Sequence, residues 1–291
     1  MESTWIEAAI NGPWGTERQP GSPIEVDECI EQGVACAEAG AAVIHVHAFD
    51  PRRDVQDDDP DIYAEIIEGI QTATDAIVYP TIPPVGLIEE TSMSAEDRYA
   101  HQEELGRRGL LEWSVVDPGS MNFSRFDQVE RDELGSIYKN PESHIRKGLE
   151  IAERYDSSPS YAIYEPGFVR LGAALAKRFP GLSSPIYRFM FSEEYTFGHP
   201  PEQYALESYL ELLDSEAPDA PWMISGLGVD ITPLIPRAVE EGGHVRVGLE
   251  DAPLGASKRN VEYVEAARDA IEDVGGTVAS TSDVRERLST E

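Results

Sequence analysis

The chain has 291 residues, 41% of them hydrophobic, and a formal net charge of -32 from 55 acidic and 23 basic side chains. That length buries a full core and suits one (β/α)8 barrel better than a small module. The acidic excess excludes a nucleic-acid or anionic-membrane surface, because the cations that contact phosphate are missing. It fits a protein kept soluble in concentrated salt, where screening over a few ångströms suppresses self-repulsion, and so predicts the cytoplasm of a salt-accumulating cell. The regular apolar runs exclude a disordered acidic chain. Cys29 and Cys36 fall about two helical turns apart, too distant to bridge, and read as small buried residues of a reducing compartment. The N-terminus carries no basic segment followed by an apolar run, and no apolar stretch approaches membrane-spanning length, so neither a secretory signal nor a membrane span is expected.

Strand-like and helix-like stretches alternate along the chain. Residues 5–11 read as the first strand, followed by a Gly/Pro loop. The spacing of Ile30, Val34 and Ala37 predicts a helix over 26–39, with Gly40 as its stop. The second strand lies in 41–50. An acidic turn, Asp57-Asp58-Asp59, leads to a cap at Pro60 and Asp61 and a helix over 62–74. A third strand over 76–82 precedes a helix over 94–108, opened by the capping pattern Ser-Ala-Glu-Asp.

The fourth strand, 111–116, runs into an irregular excursion over 124–134 and a helix over 142–155. Strand five (160–164) and a helix over 168–178 follow, then strand six (186–191) and a helix opened by Pro200-Pro201. Strand seven covers 222–225, a helix 232–241, strand eight 244–249, and a last long helix 258–274. Residues 278–288 form a small appendage. Eight strands, each followed by a helix, predict a single-domain (β/α)8 TIM barrel over 1–291. An open doubly wound sheet is disfavoured, because no Gly-x-Gly-x-x-Gly follows the first strand.

Active residues of such a barrel sit at the C-terminal ends of strands. Here those ends place Asn11, His45 with His47, Thr81, Asp117, Glu165, Ser225, and Arg246 with Glu250 and Asp251. On a strand, His45 and His47 share a face, as do Arg246, Gly248 and Glu250. Arg and Glu on one face of a buried strand are costly unless paired or ligated. A metal ion satisfies both observations: His45, His47 and Glu250 make a two-histidine, one-carboxylate set with open positions, suited to catalytic zinc or to iron(II). The alternative is an Arg246–Glu250 ion pair with the histidines hydrogen-bonded to it.

His45-Val-His47, Gly119-Ser-Met-Asn-Phe123 and Gly242-Gly-His-Val-Arg-Val-Gly-Leu-Glu-Asp251 resemble the beta-keto acid cleavage enzymes over nearly the whole chain. The resemblance implies a homo-oligomeric, zinc-dependent (β/α)8 barrel that converts a beta-keto acid and acetyl-CoA into acetoacetate and a new acyl-CoA. It implies His45, His47 and Glu250 as Zn2+ ligands, Arg246 and Asp251 as catalytic residues, and Thr81 near the substrate. Three positions depart from the family pattern: Phe49 stands where Arg is common, Ala162 where Glu is common, and Trp14 where some members meet a substrate amino group with Glu. Glu165 is a possible substitute for the strand-five carboxylate. Trp14 points away from an aminated substrate, and Phe49 and Tyr79 are expected to add aromatic bulk near the mouth.

Independently of that resemblance, Asp251 is a candidate base for a carbon acid, or else a residue that only orients Arg246. Gly226 and Gly228 after strand seven leave room for a CoA phosphate, or are a plain turn. Two other classes stay open on these residues: a metal-dependent hydrolase or aldolase, and a barrel that binds a keto acid without turning it over.

Overall fold

The computed structural model describes residues 3–85 and 93–289. Among them, eight parallel strands form a nearly closed barrel: β1 (Ile6–Ala9), β2 (Val43–Val46), β3 (Ile77–Pro80), β4 (Trp113–Val115), β5 (Ser158–Ile163), β6 (Ile186–Phe191), β7 (Trp222–Gly226) and β8 (His244–Val247). The ladder runs β3-β2-β1-β8-β7-β6-β5-β4, and β3 and β4 lie side by side at the seam. The strands are buried on both faces and rich in Val, Ile and aromatics, as expected when helices cover the outside and packed side chains fill the inside.

Helices α1 (Val26–Ala39), α2 (Pro60–Ala73), α3 (Ala100–Arg108), α4 (Glu142–Tyr155), α5 (Pro166–Ala176), α6 (Gln203–Glu216), α7 (Ile235–Glu240) and α8 (Asn260–Asp273) surround the barrel. Their ends follow local chemistry. Asp59 caps α2 by accepting from the Asp61 amide at 2.8 Å, with Pro60 at a first-turn position where its missing N–H costs nothing. Gly40 ends α1 at φ +121°, a conformation closed to most other residues. Both cysteines of α1 are free and buried, and burial pushes their thiols up to about 12.

Three predicted elements differ. The helix expected over 94–108 breaks at Tyr99 into Ala95–Arg98 and α3. The reason is anchorage: Arg98 is fully buried, donating through Nε to Pro83 O and through Nη1 to Lys139 O. Pro200 and Pro201 do not open a helix; α6 starts at Gln203 behind an extended Glu202. The excursion is ordered. Met121–Phe123 pairs antiparallel with Ser136–Tyr138 around a short helix, Phe126–Glu130, and Phe123 packs on Tyr195, Phe197 and Tyr164.

A second small antiparallel pair, Phe49–Asp50 with Val55–Gln56, folds the loop after β2 back on itself. The terminal appendage is the helix Thr281–Ser289, tied to the barrel floor by the Arg285–Glu112 ion pair at 2.6 Å and a bridge between Thr4 and Val278. The floor itself is plugged by Trp5, which packs edge-on against Trp113 and stacks on His244. No helix among the described residues is long and apolar enough to cross a membrane.

Candidate active site

The C-terminal mouth of the barrel opens into a small cavity. Pro13 and Trp14, His45 and His47, Thr81, Asp117, Ala162, Tyr164, Arg188, Leu227 and Glu250 all line it. All but Arg188, which lies within its strand, come from a strand end or the loop after it.

Glu250 reaches the site by a turn and not by strand alternation. β8 ends at Val247, and Gly248 takes φ +138° with its backbone against Ala9, where any Cβ would lie 2.2 Å from the Ala9 carbonyl oxygen. The turn swings both Glu250 and the next residue, Asp251, back toward Arg246; on a continuing strand they would point to opposite faces. Gly12 gives Glu250 its room, since a Cβ there would meet Glu250 Cγ at 2.7 Å. Asn11 sets the partner strand end: its Oδ1 accepts from the His47 amide at 2.7 Å and its Nδ2 donates to His47 O at 2.9 Å.

The ligand-bearing atoms of His45, His47 and Glu250 lie within 4.8 Å of one another. His45 Nε2 is 3.5 Å from Glu250 Oε2, and His47 Nε2 is 3.3 Å from Glu250 Oε1. The tautomer of His47 follows from its neighbours. Gln56 Nε2 donates to Asp58 Oδ1 at 2.9 Å, so Gln56 Oε1 is the acceptor for His47 Nδ1–H, also at 2.9 Å. With Nδ1 engaged by Gln56, it is Nε2 of His47 that faces the Glu250 carboxylate. Burial holds the His45 imidazole well below its ordinary pKa, in spite of the pull of Glu250. Burial also works against the charged form of Glu250, but Arg246 and then the two histidines outweigh it and keep the carboxyl below the usual carboxylate range. Two imidazoles and a carboxylate converging on one point form a donor set that a divalent cation fits, with His47 oriented from behind by Gln56.

Arg246 organises the charges beneath. It pairs with Glu7, Glu250 and Asp251, each at 2.9 Å. Asp251 grips it with both oxygens, accepts from Ser225 Oγ at 2.8 Å, and lies under the cavity lining instead of on it. Burial pushes the Asp251 carboxyl up against the opposing pull of Arg246. Glu7 also accepts from Tyr79 Oη at 2.6 Å.

The sequence profile of the beta-keto acid cleavage enzymes matches residues 3–289. The chain belongs to the beta-keto acid cleavage enzyme family. It is 25% identical to a 3-oxoadipate:acetyl-CoA acetyltransferase of Cupriavidus necator, over 97% of this chain and 93% of that protein. It is 27% identical to a 3-keto-5-aminohexanoate cleavage enzyme of Acetoanaerobium sticklandii, over 99% of this chain and 98% of that one. Among solved structures it resembles apo ObcA in fold, with TM-score 0.72 at 17% identity, covering 92% of this chain and 65% of the longer ObcA chain.

Of the residues singled out in the sequence of this family member, the structure brings together His45, His47, Glu250, Arg246 and Asp251, with Thr81 in the cavity wall. Trp14 lines the cavity and donates through Nε1 to Glu250 O at 3.0 Å. Leu227, between Gly226 and Gly228, lines it too; Gly228 takes φ +69° beside the Glu194 carboxylate. Phe49 and Tyr79 do not line the cavity. Phe49 is buried in the small antiparallel pair, and Tyr79 lies deeper, against His45 and Glu7. Glu165 stands off the cavity because the chain turns outward there to begin α5. Sequence reasoning missed Glu7, Arg188 and Gln56. The first two carry a signal, a lone charge on the inward face of an apolar strand; Gln56 carries none, since only the folded loop brings it to His47.

Proposed function

We propose that this chain is a zinc-dependent cleavage enzyme that condenses a beta-keto acid with acetyl-CoA, giving acetoacetate and a new acyl-CoA. The observation that carries the reading is the convergence of His45, His47 and Glu250 on an open cavity, above a buried Arg246–Asp251 pair. A divalent metal held by that triad would supply a Lewis acid for the substrate ketone.

The reaction exchanges one carbon–carbon bond and one thioester bond for another of each. The carbon between ketone and carboxylate loses a proton and takes the acetyl group as CoA thiolate leaves. It regains a proton when that thiolate takes the other acyl group and the original carbon–carbon bond breaks. Asp251, whose proton affinity is raised by burial, is the proposed acceptor. Arg246 keeps Asp251 and Glu250 aimed by pairing with both. Trp14 puts indole, not carboxylate, in the cavity wall, which favours an apolar or anionic side chain over an ammonium group. Gly226 and Gly228 are the proposed CoA approach; Arg125, 3.3 Å from Glu194, is a cation close to that turn. We also propose a homo-oligomer working in a cytoplasm of high salt.

Protein purified in high salt, offered a panel of beta-keto acids with and without acetyl-CoA, should form acetoacetate only when both are present. Turnover without acetyl-CoA would instead make it a hydrolase or aldolase, and no turnover at all a binding barrel. Elemental analysis should find about one zinc per chain.

A further inference from the structure

Arg188 is a buried cation within the barrel wall itself. It lies in the middle of β6, inside the apolar run Ile-Tyr-Arg-Phe-Met-Phe, and is 4% exposed. Its Nε donates to Ser160 Oγ at 2.8 Å, and it makes no ion pair among the described residues. Arg246, by contrast, holds three carboxylates at 2.9 Å each. A guanidinium stays protonated throughout the working range of proteins; Tyr79, Glu7 and Asp117 favour the Arg188 charge from a distance, but no carboxylate among the described residues pairs with it directly. The Arg188 side chain lines the cavity, and its terminal nitrogens are not among the sealed polar atoms without a partner. They open on the space where a ligand would sit.

The placement narrows what that ligand offers. His45 and His47 belong to β2 and Glu250 to the turn after β8, whereas β6 is four strands from β2 in either direction around the ladder. In register with Arg188 on β5 stands Ala162, which contributes only a methyl group and leaves the wall open. A molecule with its ketone at the triad therefore has the Arg188 side chain on the opposite wall of the same cavity. Resting on the cleavage reading above, we infer that Arg188 determines side-chain specificity and that the substrate is a beta-keto dicarboxylic acid, its second carboxylate paired with the Arg188 fork. Bidentate carboxylate recognition is the geometry a guanidinium favours, and lysine does not reproduce it.

The test compares 3-oxoadipate with 3-oxohexanoate, which differ in the far end alone, for acetoacetate formation in wild type, Arg188→Met and Arg188→Lys. Wild type should favour the diacid in kcat/KM by about 30-fold or more, the size expected when a buried charge pair loses a partner, and Arg188→Met should erase that preference. Arg188→Lys should keep part of it. In parallel, millimolar adipate should raise the wild-type melting temperature while hexanoate does not, and Arg188→Met should lose the adipate effect.

A wild type indifferent to the second carboxylate overturns the inference while leaving the cleavage reading in place. So does Arg188→Met lowering both substrates equally, since Arg188 would then read the carboxylate they share. If neither acid is cleaved but adipate protects in an Arg188-dependent way, the subsite stands and the cleavage reading fails. Should Arg188→Met not fold, the lysine variant and the wild-type adipate and hexanoate melts decide.

Discussion

His45 at the mouth of the barrel and His244 at its floor both occupy inward positions on strands, both are buried, and burial holds both imidazoles well below the ordinary pKa. Their surroundings differ. His244 stacks on Trp5 with ring centroids 3.2 Å apart, and its Nδ1 accepts from the Trp5 amide. His45 faces a second histidine and an ionised carboxylate across open space. Burial and a lowered pKa are thus common to a packing histidine and a candidate ligand. What separates them is whether the ring meets a closed apolar wall or a carboxylate that a shared cation would satisfy.

Metal content probes this contrast most strongly. His45→Ala, His47→Ala or Glu250→Ala should each abolish stoichiometric zinc, weakening the site by more than about 100-fold, whereas His244→Asn should keep it. Elemental analysis after gel filtration reads the outcome; zinc retained by all three mouth variants would place the ion elsewhere. Gln56→Ala should have a smaller effect, about 10- to 100-fold in zinc affinity measured by chelator competition, because it frees the His47 tautomer without removing a ligand.

Acid unfolding probes the floor. An unfolded histidine takes up a proton near pH 6.5, whereas native His244 resists until well below that. Its contribution to stability is therefore complete above pH 6.5 and is lost as the pH falls, with a slope of at most about 1.4 kcal/mol per pH unit. His244→Asn, which keeps an acceptor for the Trp5 amide, should remove one group's share of that slope in urea melts run from pH 7 to 5. A slope identical to wild type would mean that His244 titrates normally. The most diffuse effect is that of salt: with -32 formal charges, the melting temperature should fall between molar and millimolar salt, and a flat response would remove the high-salt inference.

Much of the site could be read from residue types alone. Ionisable residues at the ends of β-branched strands are conspicuous, and a barrel gathers strand ends at one mouth. His45, His47, Arg246, Glu250 and Asp251 stand out that way as candidates, and the structure brings their side chains together. Glu7 and Arg188 lie within their strands, as Arg246 does, but no histidine or carboxylate follows within four residues to mark them. The small antiparallel pairs escaped as well. Strands of two or three residues are too short for alternation to register.

What the sequence determined by itself was the alternation of eight strands and helices, since periodicity and turn residues are local properties of the chain. It also determined that two histidines and a carboxylate would meet at one mouth, because parallel strands of a barrel all end on the same side. Only the tertiary structure decided how they meet. The turn at Gly248 sends Glu250 and Asp251 the same way, against strand alternation; the folded loop after β2 carries Gln56 to His47; and barrel closure sets Arg246 among three carboxylates while leaving Arg188 without an ion pair among the described residues. Each of these contacts joins residues distant in the chain, and their partners depend on register and depth, which no local pattern encodes.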